Sequence, residues 1–203
     1  MFPLLLASIN YLPYLYFIIT AGLILGFARI KQLIKPAVIL LLILKIFELS
    51  IKTIGQYLVF KNSAVGVFLL PPYQKLTEFF LHYIDYRFIL PIVFPILVGL
   101  LFFFLAQIVN RLSGERFFEK EEPWMLFYAI MFLGHPMWLP YIFLILLIAI
   151  ILYLLQLIFK KIHFGERLPL YYLWLTLAIL VFFLQKIQIP ISWVNEFLNS
   201  IKF

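Results

Sequence analysis

Long runs of apolar residues, separated by short charged or proline-containing segments, form the dominant pattern of this chain. A helix needs about 20 apolar residues to cross the hydrocarbon core of a bilayer, and most of these runs have that length. The six runs cover residues 4–28, 36–60, 88–109, 123–138, 141–159 and 168–184. The sequence therefore predicts an all-α fold, a polytopic membrane helix bundle with about six transmembrane spans in one integral membrane domain over residues 1–203.

Two interfacial segments and one short run qualify this pattern. Residues 61–87 and 189–203 mix aromatic, polar and apolar positions, which is typical of segments that lie at the membrane interface. Pro36 suits the first turn of a helix and is predicted to begin the second one. The apolar part of the fourth run, residues 124–134, would form a helix of only about 16 Å. Whether that run fully crosses a bilayer therefore stays open.

Composition supports lipid as the solvent for much of the surface. Hydrophobic residues make up 66% of the chain and charged residues 12%, whereas a soluble domain has roughly half and a quarter. The absence of cysteine excludes disulfides, thiolate metal sites and a cysteine nucleophile. The net charge of +7 comes from basic residues at the ends of apolar runs, not from one patch. We therefore expect no nucleic acid partner.

The basic residues also predict an orientation. Alternate loops of a six-span chain share one side, and cytoplasmic loops carry an excess of lysine and arginine. The loops after the first, third and fifth runs hold nine of the 16 basic residues, which are Arg29, Lys31, Lys35, Arg111, Arg116, Lys120, Lys160, Lys161 and Arg167. We expect these loops in the cytoplasm, both termini outside, and a multi-pass protein of the bacterial plasma membrane.

A polar stripe interrupts the second run. Lys45, Glu48, Lys52 and Gln56 follow one another at intervals of three, four and four residues, which places them on one face of a helix. Charged side chains inside a span usually face protein or a water-filled cavity and pair with each other. One interpretation is a shallow helix whose lysines extend to the interface. The other is a buried ion pair that lines a solute path or contacts another subunit.

A second group of polar residues is a weaker candidate site. His82 and Asp85 lie three residues apart just before the third run, and His135 lies in a Gly-Pro break predicted on the same, outer side. Together they are candidates for acid–base catalysis on a lipid or lipid-linked substrate. No third metal ligand follows by spacing, so neither a metal nor a cofactor is predicted. Interfacial charges beside tyrosines are the simpler interpretation.

Residues 113–124, SGERFFEKEEPW, concentrate charge in a chain that has little. Three acids, Glu119, Glu121 and Glu122, directly precede Pro123 and the fourth run, where carboxylates favour the positive end of a helix dipole. A cytoplasmic loop that leads into a helix therefore accounts for this segment without any catalytic role.

Two short segments resemble membrane protease families. YIDYRFILPIVF, residues 83–94, resembles the first-aspartate segment of prepilin peptidases, which implies a catalytic role for Asp85. That family also needs a second aspartate in a Gly-x-Gly-Asp motif, and Asp85 is the only aspartate in this sequence. The pair Glu121-Glu122 resembles the glutamates of CAAX-type proteases, but Leu126 stands where that family has arginine. A protease of either kind is therefore disfavoured.

Two functional hypotheses follow. The first is a non-catalytic transporter or assembly subunit that uses the polar stripe, with the lipid bilayer and other membrane subunits as partners. The second is a membrane-embedded enzyme at the outer interface. Packing of Glu48 against another helix would favour the first, and convergence of His82, Asp85 and His135 would favour the second.

Overall fold

The computed structural model describes residues 2–26, 30–76, 79–114, 118–158 and 173–187. Within these ranges the regular structure is helical, which confirms the predicted all-α fold. The longer helices are α1 (Phe2–Leu25), α2 (Ile30–Asn62), α3 (Phe80–Leu112), α4 (Glu122–Leu133), α5 (Trp138–Ile158) and α6 (Leu173–Ile187). A short 3-10 turn, Gly66–Leu69, lies between α2 and α3. The predicted interfacial segment 189–203 falls outside the described residues.

Helix α4 is the centre of the bundle. All residues from Met125 to Leu133 are buried, and α4 packs against α2, α3, α5 and α6. A helix that is apolar on every side lies either in a protein core or in a bilayer, and α4 lies in the core of this bundle. Pro123 stands in its first turn, and Gly134 ends it at a φ of 69°, a conformation that glycine adopts without strain.

The helices around α4 present apolar side chains outward. Exposed examples, one from each, are Ile18, Phe47, Leu101, Ile150 and Phe183. Among the described residues, one continuous helix, α3, has both the length and the apolar composition to cross a membrane, and only 22% of its most apolar stretch is buried. The other apolar helices have 10 to 17 residues in the parts where their side chains are also described, and α2 carries charges along its length.

Helix α2 begins earlier than the position of Pro36 predicts. The helix starts at Ile30, and Pro36 lies inside it, so the expectation that this proline begins the second helix is wrong. A proline removes one helical hydrogen bond. Ile34 and Val38, on either side of the proline, are both buried in the core. Their burial offsets the missing bond and keeps the segment helical.

Helix α3 also begins earlier than predicted. Part of the segment expected at the interface, from Phe80 onward, is helical and continuous with the third apolar run. Phe80 and Ile84 are buried together with Leu70. These two residues have helical spacing, but the polar residues between them hide the periodicity. These residues therefore form a second, smaller hydrophobic cluster between the end of α2 and the start of α3.

The charged stretch lies against the first turn of α2. Lys31 Nζ is 2.6 Å from Glu119 Oε2, and the Asn110 side chain makes two 3.0 Å hydrogen bonds with the backbone of Phe118. Glu122 begins α4, as the position of the acids predicts, and is buried. Two of the three basic loops thus share one end of the bundle. The third loop lies in residues 159–172, outside the described part.

Candidate functional site

The carboxylate of Glu48 lies near the middle of α2 between two lysines. Lys52 Nζ donates to Oε1 at 2.6 Å, and Lys45 Nζ donates to Oε2 at 3.3 Å. Their spacing, four residues after and three before Glu48, brings all three side chains to one face of the helix. Glu48 is only 8% exposed. The pairing expected from the spacing is therefore present, and the carboxylate is enclosed by protein.

A tyrosine of α1 completes this arrangement. The Tyr16 hydroxyl donates to Glu48 Oε2 at 2.7 Å, and its ring lies 4.5 Å from Lys45 Nζ, within the range of a cation–π contact. Tyr16 itself is buried. We name Tyr16, Lys45, Glu48 and Lys52 the Glu48 cluster. Because its members come from α1 and α2, the cluster is a contact between two helices and not a surface stripe on one.

The Glu48 cluster contains two basic side chains and one acidic side chain. With both lysines protonated, one carboxylate accepts from two ammonium groups and the side chains of the cluster sum to one positive charge. The Lys52 side chain is 28% exposed and that of Lys45 13%. A further group can therefore reach the cluster most easily from the side of Lys52. In chemical terms this arrangement can accept a further anionic group, such as a carboxylate or a phosphate.

A second polar contact joins α1 to the central helix. The Thr20 hydroxyl donates to the Tyr16 carbonyl at 2.8 Å, and its oxygen lies 3.0 Å from the Tyr128 hydroxyl. Thr20 has one proton, which is already donated, so the Tyr128 hydroxyl is the donor in the second bond. Thr20 and Tyr128 are fully buried. The turn of α1 that carries Tyr16 is therefore fixed to both α2 and α4.

The remaining member of the predicted stripe, Gln56, is half-buried one turn beyond Lys52. The hydrogen bonds around Glu48 do not include it. Conversely, no pattern in the sequence distinguishes Tyr16, which is one of 12 tyrosines. A tyrosine on a neighbouring helix has no spacing relationship to the charges it contacts, so periodicity cannot identify it.

The three outer-side candidates are not brought together. His82 and Asp85 are exposed near the start of α3, whereas the His135 ring lies edge-on to Phe94 at 5.8 Å. Phe94 is twelve residues beyond His82, or about 18 Å along the helix. Among the described residues, no three His, Cys, Asp or Glu side chains are grouped as a metal site would require.

Comparison with known proteins gives no relative from which a role could be transferred. No protein-family model matches this chain, and neither a curated protein sequence nor a solved structure matches it.

Proposed function

We propose that this chain is a multi-span membrane protein whose main helices together form one integral membrane domain. The support is the many large apolar side chains that are exposed on α1, α2, α3, α5 and α6. Soluble monomers rarely expose contiguous apolar patches of more than a few hundred Å². Lipid in contact with all of these helices accounts for that surface. From the excess of basic residues in its loops we further propose that the Lys31–Glu119 end faces the cytoplasm of a bacterial cell, with both termini outside.

Within that membrane protein, the Glu48 cluster is proposed as the functional element of a non-catalytic transporter or assembly subunit. The observation that carries this proposal is the contact of Glu48 with Tyr16 of α1, together with the two lysines that share one carboxylate. A buried ion cluster contributes little net stability, because apolar replacements of the same size are often as stable or more stable. Its presence is better accounted for by an anionic partner group.

The enzyme hypothesis has less support. Convergence of His82, Asp85 and His135 would have favoured it, and the rise of α3 separates His82 from the residue that His135 contacts by about 18 Å. A transport or assembly role needs no such convergence. We therefore propose that the Glu48 cluster receives either an anionic solute or an acidic side chain of another membrane subunit.

Two measurements on the Lys52→Met variant test this function and separate its two forms. For assembly, a photo-crosslinking residue at Gln56 should link to a different membrane protein, and the product should disappear in the Lys52→Met background. The same residue at Ile46, which is exposed on another face of α2, is the matched control.

For transport, the purified protein in liposomes should conduct a small carboxylate or phosphate, and Lys52→Met should abolish the flux.

The two outcomes distinguish a subunit from a transporter. If neither a Lys52-dependent crosslink nor a Lys52-dependent anion flux is found, while Lys52→Met leaves folding unchanged, the proposed role of the Glu48 cluster is wrong.

A further inference from the structure

An open groove of about 290 Å³ lies at the start of α3, far from the Glu48 cluster in sequence. It is lined by Phe79, His82, Tyr83, Tyr86 and Arg87. These positions follow the helical spacing of three and four residues, so they form one stripe of aromatic rings that ends at an arginine. A stripe of this composition combines a broad apolar contact surface with hydrogen-bond donors and one fixed positive charge.

The walls of the groove are held by packing on the neighbouring helix. The ring of Phe60 in α2 lies 5.5 Å from that of Tyr83 and 6.2 Å from that of Phe79. On the other side of the same helical segment, Phe80 and Ile84 are buried. The groove is therefore already formed without a ligand, which lowers the entropic cost of binding.

The backbone beneath Tyr86 and Arg87 departs from regular α-helix. Residues Asp85–Ile89 form a π-helical turn, in which the Leu90 N–H donates to the Asp85 carbonyl. Single π-turns inside α-helices occur frequently at functional sites, because they change the direction of the side chains they carry.

Arg87 gives the groove its specificity for an anion. The side chain is exposed, and no described carboxylate pairs with it; Asp85 is nearby in sequence but does not line the groove. A guanidinium presents its N–H groups in a planar fork that matches the oxygens of a phosphate. The hydroxyls of Tyr83 and Tyr86 and the imidazole of His82 add hydrogen-bonding groups around it.

The position of Arg87 along α3 indicates where such a phosphate would come from. Arg87 and Arg111 flank 23 residues without a charge, which rise about 35 Å as a helix. The hydrocarbon core of a bilayer is about 30 Å thick. If α3 crosses, Arg87 lies at the level of the lipid phosphates. The aromatic residues of the groove precede Arg87 in the chain, so they lie farther from the hydrocarbon core, beside the outer part of the headgroup.

We propose that this groove binds the headgroup of an anionic phospholipid, with its phosphate on Arg87 and the polar group beyond the phosphate against Tyr83 and Tyr86. This site depends on α3 crossing a membrane and not on the role of the Glu48 cluster. It assigns to the protein a specific lipid-binding site on the side opposite the basic loops.

The test is native mass spectrometry of the full-length protein released from nanodiscs that contain phosphatidylglycerol and phosphatidylcholine in equal amounts. The wild-type protein should retain one phosphatidylglycerol in preference to phosphatidylcholine. Arg87→Gln should reduce that retention about fivefold, the effect of one basic residue at an anionic surface. Lys75→Gln is the matched control, because it removes an equal charge from the same region but outside the groove.

Each other outcome contradicts the assignment. Equal retention of both lipids would show an apolar surface without headgroup recognition. Unchanged retention in Arg87→Gln, or an equal loss in Lys75→Gln, would show attraction by general charge. Displacement of the lipid by millimolar inorganic phosphate would show that a free anion is the ligand. Circular dichroism of each variant separates these results from misfolding.

Discussion

The Tyr16 hydroxyl donates a hydrogen bond of 2.7 Å to Glu48 Oε2, so a charge on the second helix is held by a side chain of the first. The same turn of α1 is bonded to Tyr128 of α4 through Thr20. The position of the Glu48 cluster is therefore determined by three helices. Hydrogen bonds through Tyr16 and Thr20 thus connect Glu48 to the central helix.

Removal of the tyrosine hydroxyl should weaken the bundle. Tyr16→Phe keeps the buried ring and its contact with Lys45 but removes one donor from a buried carboxylate. Hydrogen bonds to charged groups contribute about 1.5 to 3 kcal/mol, and we expect a loss of unfolding free energy in that range. Unfolding in mixed micelles, followed by circular dichroism, measures it. Tyr14→Phe, at an exposed tyrosine on the same helix, should change little; equal effects of both would contradict the role of the bond.

Removal of the Glu48 carboxylate alone should lower the free energy of unfolding more than removal of the carboxylate together with one lysine. Glu48→Ala leaves two enclosed ammonium groups without their anion, and breaking a buried ion pair costs about 3 to 5 kcal/mol. Glu48→Ala with Lys45→Ala removes the less exposed of the two lysines as well. The double variant should therefore be the more stable of the two in the same unfolding assay. A double variant that is less stable would show that Lys45 is not destabilised by the loss of Glu48.

Sequence periodicity predicted the helices but not their limits. Runs of about 20 apolar residues identify helices because each apolar side chain has to leave water. The start of α3 was missed because Phe80 and Ile84 are separated by His82 and Tyr83, so that only one face of the turn is apolar. The sequence also did not predict the position of the short fourth run, which the structure shows as α4 enclosed by other helices.

The candidate site was predicted to the extent that it lies on one helix. The spacing of Lys45, Glu48 and Lys52 predicted their contacts, because helical geometry fixes neighbours at three and four residues. Tyr16 and the Lys31–Glu119 pair could not be predicted in this way. Contacts between residues 32 and 88 positions apart depend on how helices pack, and one sequence contains no signal for that packing.

Glu121 and Asn110, both half-buried near the charged stretch, allow a comparison between an acid at a helix terminus and an amide that is hydrogen-bonded to the backbone. Glu121 precedes α4 and makes no capping hydrogen bond through its side chain, so Glu121→Gln should cost a few tenths to about 1 kcal/mol through the helix dipole. Asn110→Ala removes both hydrogen bonds to the backbone of Phe118 and should cost more, about 1 to 3 kcal/mol. Thermal unfolding in detergent ranks the two. A larger effect of Glu121→Gln would overturn the interpretation of its carboxylate as a helix-terminus charge.

A close contact between α3 and α4 predicts opposite effects for two glycine substitutions. A Cβ atom added at Gly99 would lie 2.6 Å from Cδ2 of the buried Phe127 ring, whereas at Gly22 of α1 nothing lies within 4 Å. Gly99→Ala should therefore destabilise the bundle by about 1 to 3 kcal/mol through overpacking. Gly22→Ala should be neutral or stabilise by less than about 1 kcal/mol, since alanine favours helix. If Gly99→Ala is as stable as the wild type, α3 and α4 pack less closely than described.

Reporter fusions should decide how many times the chain crosses the membrane. The Lys31–Glu119 contact places the start of α2 and the connection before α4 at one end of the bundle. Fusions after Lys35 and after Lys120 should therefore report the same side, and the excess of basic residues predicts the cytoplasm. A fusion after Lys161 tests the rest independently. It reports the cytoplasm if α4 and α5 each cross, as six spans require. An outside report at Lys161 alone would mean that α4, which has 12 residues, and α5 make one crossing together. The number of spans would then be five.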